Sequence, residues 1–242
     1  MKATDEEIRR SVITSSAVEG IKTNLLPFKM RTETKMEKYR HDTFWTKEPE
    51  CLAWIKSFSP HDIFFDIGAN VGVYSLFASS LYPEMTIWAF EPMQANYAAL
   101  VKNIEMNRYH NIKAYRQAIG NRTGWIDLDR GDGACGESGA QVTNREGRTW
   151  IASIDKLRPT RPDQVKIDID GQELEVVKGM KRTLPHIKSC LIEVSEASKG
   201  AIMCIMTTAG FTTDNRFNSM TPHSRERRAK EGIDAENIVF TR

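Results

Sequence analysis

The sequence predicts an α/β fold in which a mostly parallel sheet is covered by helices on both faces. Two observations lead to this prediction. From residue 62 onward, apolar segments of strand length alternate with amphipathic segments of helix length. The strand segments are continuously apolar, as is typical of parallel strands buried on both faces. Ligands of such sheets bind beyond the carboxyl ends of the strands, so residues at those ends are the candidates for a functional site.

The first half of the chain gives these elements in order. Residues 5–16 predict a helical start, residues 28–45 an irregular lead-in, and CLAWIKSF (51–58) a short helix that ends near Pro60. Strands follow at 63–68, 86–92 and 112–119, each with a continuous apolar run. Helices follow the first two strands at 71–82, which stops before Pro83, and at 94–107. In the second helix the apolar residues recur at helical spacing, namely Tyr97, Leu100, Val101 and Ile104.

The second half continues the alternation. Strands are predicted at 148–155, 164–170 and 190–195, and helices at 172–180 and 201–210, the last closed by Gly210. Residues 211–215 and 236–242 then form a final pair of strands. We divide the chain into an N-terminal extension, residues 1–44, which is partly helical and serves as a candidate lid, and a main domain, residues 45–242.

Composition excludes several classes of protein. A formal net charge of +2 over 242 residues is too small to indicate nucleic acid or an acidic membrane surface as partner. The N-terminus lacks the apolar core of a signal peptide, and no stretch approaches the roughly 18 apolar residues of a membrane span. We therefore expect a cytoplasmic protein. The cysteines show no C-x-x-C spacing and predict neither a disulfide framework nor a zinc site, with Cys190 a buried apolar residue.

The turn after the first strand contains Asp66, Gly68, Asn70 and Gly72. Dinucleotide-binding proteins have G-x-G-x-x-G at this place, where backbone N–H groups receive a pyrophosphate. Here the spacing is D-x-G-x-N-x-G, and the carboxylate would repel a pyrophosphate. S-adenosyl-L-methionine carries an ammonium and a sulfonium together with a carboxylate, so it suits a turn with open N–H groups and one negative charge. We predict that these four residues bind this cofactor; the alternative is that Asp66 only caps the helix.

Two further strand ends carry candidate cofactor ligands. Glu91 and Pro92 end the second strand, where an acid accepts both hydroxyls of a ribose. The alternative is that Glu91 is a surface acid. Gln117 and Ala118 lie near the end of the third strand, where a small residue is suitable for an adenine slot or simply ends a strand.

The segment VKIDIDGQELEVVKG (165–179) places several charges on an apolar strand. Lys166, Asp168 and Asp170 alternate and should share one face, and Glu173 falls in the first turn of the next helix. Charges on a buried strand are costly unless they border a polar cleft, so we expect Asp168 and Glu173 to be catalytic. The alternatives are that Lys166 and Asp168 pair with each other and that Glu173 interacts with the helix dipole. A divalent metal on Asp168, Asp170 and Glu173 is compatible with the sequence, which does not require one.

The chain resembles the FkbM family of S-adenosylmethionine-dependent methyltransferases. The resemblance runs from about residue 44 to the C-terminus and rests on eight segments: FWTKEPE, FFDIGANVGVYSLFAS, AFEPMQANYAAL, QAIGNRTG, SIDKL, VKIDIDGQELEVVKGM, LIEV and ENIVF. DIGANVGVYS followed by KIDIDGQE is far more specific than a glycine turn alone. The family commonly has Asp-Val-Glu-Gly-x-Glu where this chain has DIDGQE, so Asp170 replaces a glutamate.

The resemblance implies a class I methyltransferase fold, a Rossmann-like sheet of seven mostly parallel strands whose last strand is antiparallel. It implies that the turn from Asp66 to Gly72 wraps the methionine end of the cofactor and that Glu91 holds the ribose. Further roles implied by the family pattern are adenine contacts by Gln117 and Ala118, a place beside the methyl group for Asp168, and a cofactor lid formed by Phe44, Trp45, Lys47 and Glu48.

The function expected from this reasoning is O-methylation of a hydroxyl on a sugar, glycolipid or secondary metabolite. Alternatives are an N-methyltransferase on a small molecule, a non-catalytic cofactor-binding protein and, less favoured, a nicotinamide-dependent oxidoreductase. RNA methylation is disfavoured because the chain has no basic stripe and no base-flipping motif. Partners are a small-molecule or carbohydrate acceptor, with a homodimer compatible with the sequence. Substrate contacts are sought in the glycine-rich loop 129–148, at His223 as a third candidate base, and at Arg225, Arg227 and Arg228.

Overall fold

The computed structural model describes residues 25–129, 141–143, 149–157, 161–217 and 234–242. The helix predicted over 5–16, the basic cluster with His223 and most of the loop predicted over 129–148 lie outside the described residues. None of the helices in the described part of the chain has the length and apolar character needed to cross a membrane.

Three short helices precede the first strand: α1 (Lys35–Asp42), α2 (Phe44–Lys47) and α3 (Pro49–Ile55). The irregular lead-in predicted over 28–45 is therefore wrong for α1. That helix begins at a capping box in which the Thr34 hydroxyl accepts the Glu37 N–H at 3.1 Å and the Glu37 carboxylate accepts the Thr34 N–H at 2.8 Å. The T-x-x-E spacing was the available signal, and the low apolar content of the segment concealed it.

The remaining elements follow the predicted alternation. The helices are α4 (Val73–Leu81), α5 (Gln94–Asn107), α6 (Glu173–Lys178) and α7 (Glu196–Thr208). The strands, in chain order, are β1 (Ile63–Ile67), β2 (Thr86–Phe90), β3 (Ile112–Tyr115), β4 (Ala118–Ile119), β5 (Gly124–Asp129), β6 (Gln141–Thr143), β7 (Thr149–Ala152), β8 (Gln164–Ile167), β9 (Ser189–Ser195), β10 (Thr212–Thr213) and β11 (Ala235–Thr241).

Seven strands form the main sheet, in the order β10-β11-β9-β8-β1-β2-β3. β1 pairs in parallel with β2 and β8, while β11 runs antiparallel to both β9 and β10. The fold class is thus confirmed, including the antiparallel last strand. Because β1 lies between β2 and β8, the ends of these three strands meet at the centre of one sheet edge.

A second sheet in the order β4-β7-β5-β6 was not predicted. The strand expected over 112–119 breaks after Tyr115, and Ala118 pairs with Ile151 of β7 in the second sheet. Similarly, β8 ends at Ile167, so Asp170 lies in the following turn with a φ of 56° and does not share the strand face of Lys166. In both places a continuous residue pattern hid a change in backbone direction.

The two faces of the main sheet carry separate hydrophobic cores. Successive residues of a strand point to opposite faces, so Phe64 packs with Trp54 and Phe58 on one side, while Phe65 packs with Trp88 on the other. The first core also contains Phe28, Met30 and Phe44, which extends it to the N-terminal segment. Cys190 is fully buried in the second core, as predicted.

Candidate active site

The turn after β1 has the backbone that its sequence predicts. Gly68, Asn70 and Gly72 all have positive φ, at 82°, 51° and 93°. Gly68 permits a close approach that no other residue would allow, because an added Cβ would lie 1.9 Å from the backbone oxygen of Asp168. The turn of β1 and the end of β8 are therefore in direct backbone contact.

Asp66 lies in β1, fully buried, with Ala89 and Lys166 at the paired positions of the neighbouring strands. Its Oδ2 accepts the Ser75 hydroxyl of α4 at 2.6 Å. Its Oδ1 makes no hydrogen bond of good geometry with any residue that the structure describes. Burial raises the pKa of this carboxyl, although the positive charge of Lys166 acts in the opposite direction. Such an oxygen is suited to a cationic or hydrogen-bond-donating ligand.

Glu91 follows β2 directly and is only 4% exposed, so the alternative of a surface acid is wrong. Its Oε2 accepts the Asn70 N–H at 2.8 Å and its Oε1 accepts the Met93 N–H at 2.8 Å. The Asn96 side chain also bonds to this carboxylate. Together these bonds fix the carboxylate beside the turn and leave it able to accept one further donor. Burial raises the pKa of Glu91 to about 7.

A cavity of about 460 Å³ opens beside the turn, lined in part by Gly68, Pro92, Gln117, Ala118 and Ile151. Its walls come from both sheets, since Ala118 and Ile151 are paired in the second one. The Gln117 Nε2 is buried and has no hydrogen-bond partner among the described residues. The cavity thus combines apolar walls with polar side chains, among them the unpartnered Gln117 amide, and this combination suits a flat heteroaromatic ring with hydrogen-bonding edges.

The end of β8 holds a buried ion pair. The Lys166 ammonium lies 2.6 Å from the Asp168 Oδ2, with the lysine side chain 1% exposed and the aspartate side chain 24% exposed. The predicted alternative that these two residues pair is thus confirmed. Burial acts to raise the pKa of Asp168, but the charge of Lys166 outweighs it and holds the pKa below its usual range.

Glu173 lies at the first position of α6 and is buried. Its carboxylate accepts the Ile169 N–H at 3.1 Å and the Gly171 N–H at 3.0 Å. Both contacts are to the turn that precedes it, so the side chain holds that turn in place. Burial raises the pKa of Glu173 despite these bonds.

Glu48 comes from the junction of α2 and α3 and is 3% exposed. It accepts the Tyr74 hydroxyl of α4 and pairs with the Lys47 ammonium at 2.8 Å. Burial acts to raise the pKa of Glu48, and the charges of Lys47 and Lys166 reverse the effect and lower it. Phe44, predicted to join a lid, is 4% exposed and packs edge-on against Phe28 and Phe77 in the core.

The structure brings most of the predicted site residues to one edge of the main sheet, at or just after the carboxyl ends of β1, β2, β3 and β8. Two contributors were missed. Tyr74 and Ser75 begin α4 directly after the turn, and their contacts to Glu48 and Asp66 leave no trace in the spacing of apolar residues. Within the described residues no three His, Cys, Asp or Glu side chains are placed to hold a metal ion, so Asp168, Asp170 and Glu173 do not form such a group.

The fold defines the class of protein. A sheet with antiparallel β11 between β9 and β10, and a cavity at the carboxyl ends of its parallel strands, is the class I methyltransferase fold. The structure is similar to the crystal structure of methyltransferase FkbM from Methylobacillus flagellatus KT, with a TM-score of 0.55 and 15% identity over 86% of this chain and 52% of that chain.

Sequence comparison gives the family. The sequence model of the methyltransferase FkbM domain family matches residues 66–213, which is more than half of the chain. The chain therefore belongs to the FkbM methyltransferase domain family, and the resemblance predicted from its motifs is confirmed.

Curated relatives match over about half of the chain. The hexuronic acid methyltransferase AglP of Haloferax volcanii is 27% identical over 139 residues, or 55% of this chain and 56% of the relative. Methyltransferase 1 of Beauveria bassiana is 23% identical over 150 residues, or 50% of this chain and 59% of the relative. The matched region thus spans little more than half the length of these two relatives.

Proposed function

We propose that the protein is an S-adenosylmethionine-dependent methyltransferase that methylates a hydroxyl group of a sugar, glycolipid or secondary metabolite. The observation that carries the proposal is a set of three polar groups at or just after the carboxyl ends of three adjacent strands, β1, β2 and β3. They are the Asp66 Oδ1, the Glu91 carboxylate and the Gln117 Nε2, of which the first and last lack hydrogen-bond partners among the described residues. Family membership and the methyltransferase relatives support the same activity.

The residues present fit this cofactor. The buried oxygen of Asp66 suits its cationic methionine end, and Gly68 and Gly72 place no side chain at two positions of the turn that have positive φ. Glu91 would accept the ribose hydroxyls, and Pro92, Gln117 and Ala118 would hold the adenine in the cavity. Glu48, which faces Lys166 and Tyr74, would close the methionine side together with the segment from Phe44.

Asp168 is the group that we assign to the acceptor. S-adenosylmethionine supplies an electrophilic methyl group, whose transfer forms a carbon–oxygen bond while the carbon–sulfur bond breaks and leaves a neutral thioether. The acceptor hydroxyl loses a proton in this reaction, and a positioned base contributes roughly a hundredfold to ten-thousandfold. Asp168 is partly exposed at the end of β8 and ionised, so it is able to receive that proton.

Glu173 remains the second predicted catalytic group. Its raised pKa suits proton transfer near neutral pH, but its carboxylate already accepts two backbone N–H groups. We therefore propose that it acts on the reaction by shaping the turn from Ile169 to Gly171, which follows Asp168.

Calorimetric titration tests the cofactor first. The purified protein should bind S-adenosylmethionine and not NAD, and Asp66→Asn should weaken that binding at least tenfold, which is about 1.4 kcal/mol. Asp62→Asn is the matched control, because Asp62 is also a buried acid but lies just before the amino end of β1, away from the turn. Its carboxylate accepts a hydrogen bond from the Gln164 side chain at 2.7 Å. NAD binding, or equal loss in both variants, would overturn the proposal.

The acceptor is tested by release of S-adenosylhomocysteine from mixtures with defined sugars. The relative from Haloferax volcanii makes a hexuronic acid the first acceptor to try, beside a neutral hexose and a small amine. Turnover with the amine alone would favour N-methylation. Cofactor binding without turnover on any acceptor would favour the non-catalytic alternative.

A further inference from the structure

Lys166 is the only buried lysine among the residues that the structure describes. It lies in β8, the strand at the centre of the sheet, directly opposite Asp66 of β1. An ammonium in the protein interior is costly unless carboxylates and other polar groups compensate it. A position of this kind calls for a reason beyond the packing of an apolar strand.

Two groups contact the Lys166 ammonium directly. The Asp168 Oδ2 lies 2.6 Å away, and the ring centroid of Tyr74 lies 4.8 Å away, within the range of a cation–π contact. The same tyrosine donates its hydroxyl to Glu48. The ammonium is thus held between Asp168 at the end of β8 and Tyr74 in the first turn of α4. Tyr74 in turn connects to Glu48, between α2 and α3.

We propose that Lys166 is a positioning residue for methyl transfer, which fixes the side chain of Asp168 through its Oδ2. The proposal rests on the proposed function, in which Asp168 takes the proton that the acceptor hydroxyl loses. Lys166 itself is too deeply buried to touch an acceptor, since its side chain is only 1% exposed. Its bond to Oδ2 leaves the Oδ1 of Asp168 for the acceptor.

The charges around Asp168 explain why a fixed cation is needed. Three acids face it from neighbouring elements: Asp66 of β1, Glu48 before α3 and Glu173 of α6. Tyr74 of α4 contributes a ring and a hydroxyl, and Lys47 of α2 and Lys166 contribute the positive charges. Lys47 is partly exposed and pairs with Glu48, so Lys166 is the cation in direct contact with Asp168. Without Lys166, desolvation and three like charges would favour a protonated Asp168, which cannot act as a base.

The Lys166 ammonium contacts the Tyr74 ring as well as the Asp168 carboxylate. The ring offers the ammonium a polarisable face but no proton acceptor, so it does not compete with Asp168 for the ammonium protons. Replacement of Tyr74 by Phe keeps this face and removes only the bond to Glu48. The Tyr74→Phe variant therefore tests the bond to Glu48 while the ring contact with Lys166 is kept.

The first experiment follows the Asp168 carboxyl directly in the ligand-free protein, by ¹³C NMR of selectively labelled aspartate against pH. Asp168→Asn identifies the signal. In the wild type this signal should titrate below the usual range for an aspartate, and Tyr74→Phe should leave it unchanged. Titration of Asp168 in the wild type within or above the usual range would overturn the proposal, and this outcome requires no further variant to fold.

The second experiment is a double-mutant cycle in methyl transfer, with Lys166→Met, Asp168→Asn and both changes together. Lys166→Gln accompanies it, because an amide keeps a hydrogen bond to Asp168 without the charge. Lys166→Met should lower kcat by about a hundredfold and add little when Asp168 is already Asn. With either single Lys166 variant the acid limb of the pH profile should move to higher pH.

The outcomes separate the two proposals. If the wild type binds S-adenosylmethionine and turns over while both Lys166 variants keep their kcat and pH profile, the role of Lys166 is refuted and the methyltransferase proposal stands. If the wild type does not bind the cofactor, the proposed function itself fails. A loss of kcat in Lys166→Met that is equally large in the Asp168→Asn background would show a structural role and also refute the inference.

Discussion

The Glu91 carboxylate accepts the backbone N–H of Asn70 at 2.8 Å, and this bond joins the end of β2 to the turn after β1. The acid is therefore oriented before any ligand arrives, which reduces the ordering that binding requires. The same burial that orients it also raises its pKa to about 7, from 4.5 for an unperturbed glutamate. Two measurable consequences follow, one for stability and one for cofactor binding.

The stability of the ligand-free protein should depend on Glu91 and pH. Because its folded pKa is raised, the stabilisation from the neutral carboxyl is fully present below about pH 4.5 and is lost as the pH rises through about 7. The shift corresponds to about 3 kcal/mol. Other acids titrate as well, so the measurement is the difference between wild type and Glu91→Gln in urea unfolding at several pH values. A difference that stays constant between pH 5 and pH 8 would contradict the assignment.

Affinity for S-adenosylmethionine should fall as the solution becomes more acidic. Ribose hydroxyls are donors to a carboxylate, and Glu91 with a pKa of about 7 is mostly protonated at lower pH. The Kd measured by calorimetry should rise about tenfold between pH 8 and pH 6. Glu91→Gln should bind more weakly and show no such dependence. If the variant keeps the pH dependence, another group is responsible, and Asp66 with its raised pKa is the first to test.

Much of the candidate site was predictable because its residues lie at the carboxyl ends of strands. Asp66, Glu91 and Asp168 each follow an apolar run, and parallel topology brings such ends together whatever the details of packing. Gly68 and Gly72 were predictable for a related reason, since positive φ favours glycine. The family motifs added the assignments of Gln117 and Glu48.

The missed features depend on contacts between distant segments. Tyr74 meets Glu48 across 26 positions of the chain, and no local pattern records that contact. The second sheet was missed because the strand after Lys113 appears continuous to Ile119, whereas pairing passes from β2 to β7 between Tyr115 and Ala118. The exchange of partners is a property of the folded sheet, and apolar periodicity is the same on either side of it.

Gly68→Ala should disrupt the site by collision more than by backbone strain. Its added Cβ would lie 1.9 Å from the Asp168 backbone oxygen, which cannot move without shifting β8. Gly171→Ala is the matched control, because Gly171 also has a positive φ, of 102°, but an added Cβ there meets nothing within 4 Å. We expect Gly171→Ala to cost about 1 kcal/mol and Gly68→Ala clearly more, with loss of cofactor binding only in the latter. Unfolding in urea and calorimetry measure both, and equal costs would contradict close contact between the turn and β8.

Asn103→Ala should loosen the N-terminal segment from the rest of the domain. The Asn103 amide donates to the Val71 carbonyl at 2.8 Å, and its Oδ1 accepts the Arg31 N–H at 2.7 Å, so one buried side chain joins α5, the turn region and residue 31. Removing it leaves both backbone groups without this partner and should cost about 2–3 kcal/mol in urea unfolding. Met106→Ala, on the same helix at an exposed position, should change stability by less than about 0.5 kcal/mol.

Because Phe28 and Met30 share the core with Phe44, amide hydrogen exchange should rise from residue 28 through α1 in the Asn103 variant alone. Unchanged exchange in that segment would show that its apolar contacts hold it without the asparagine and would contradict this prediction.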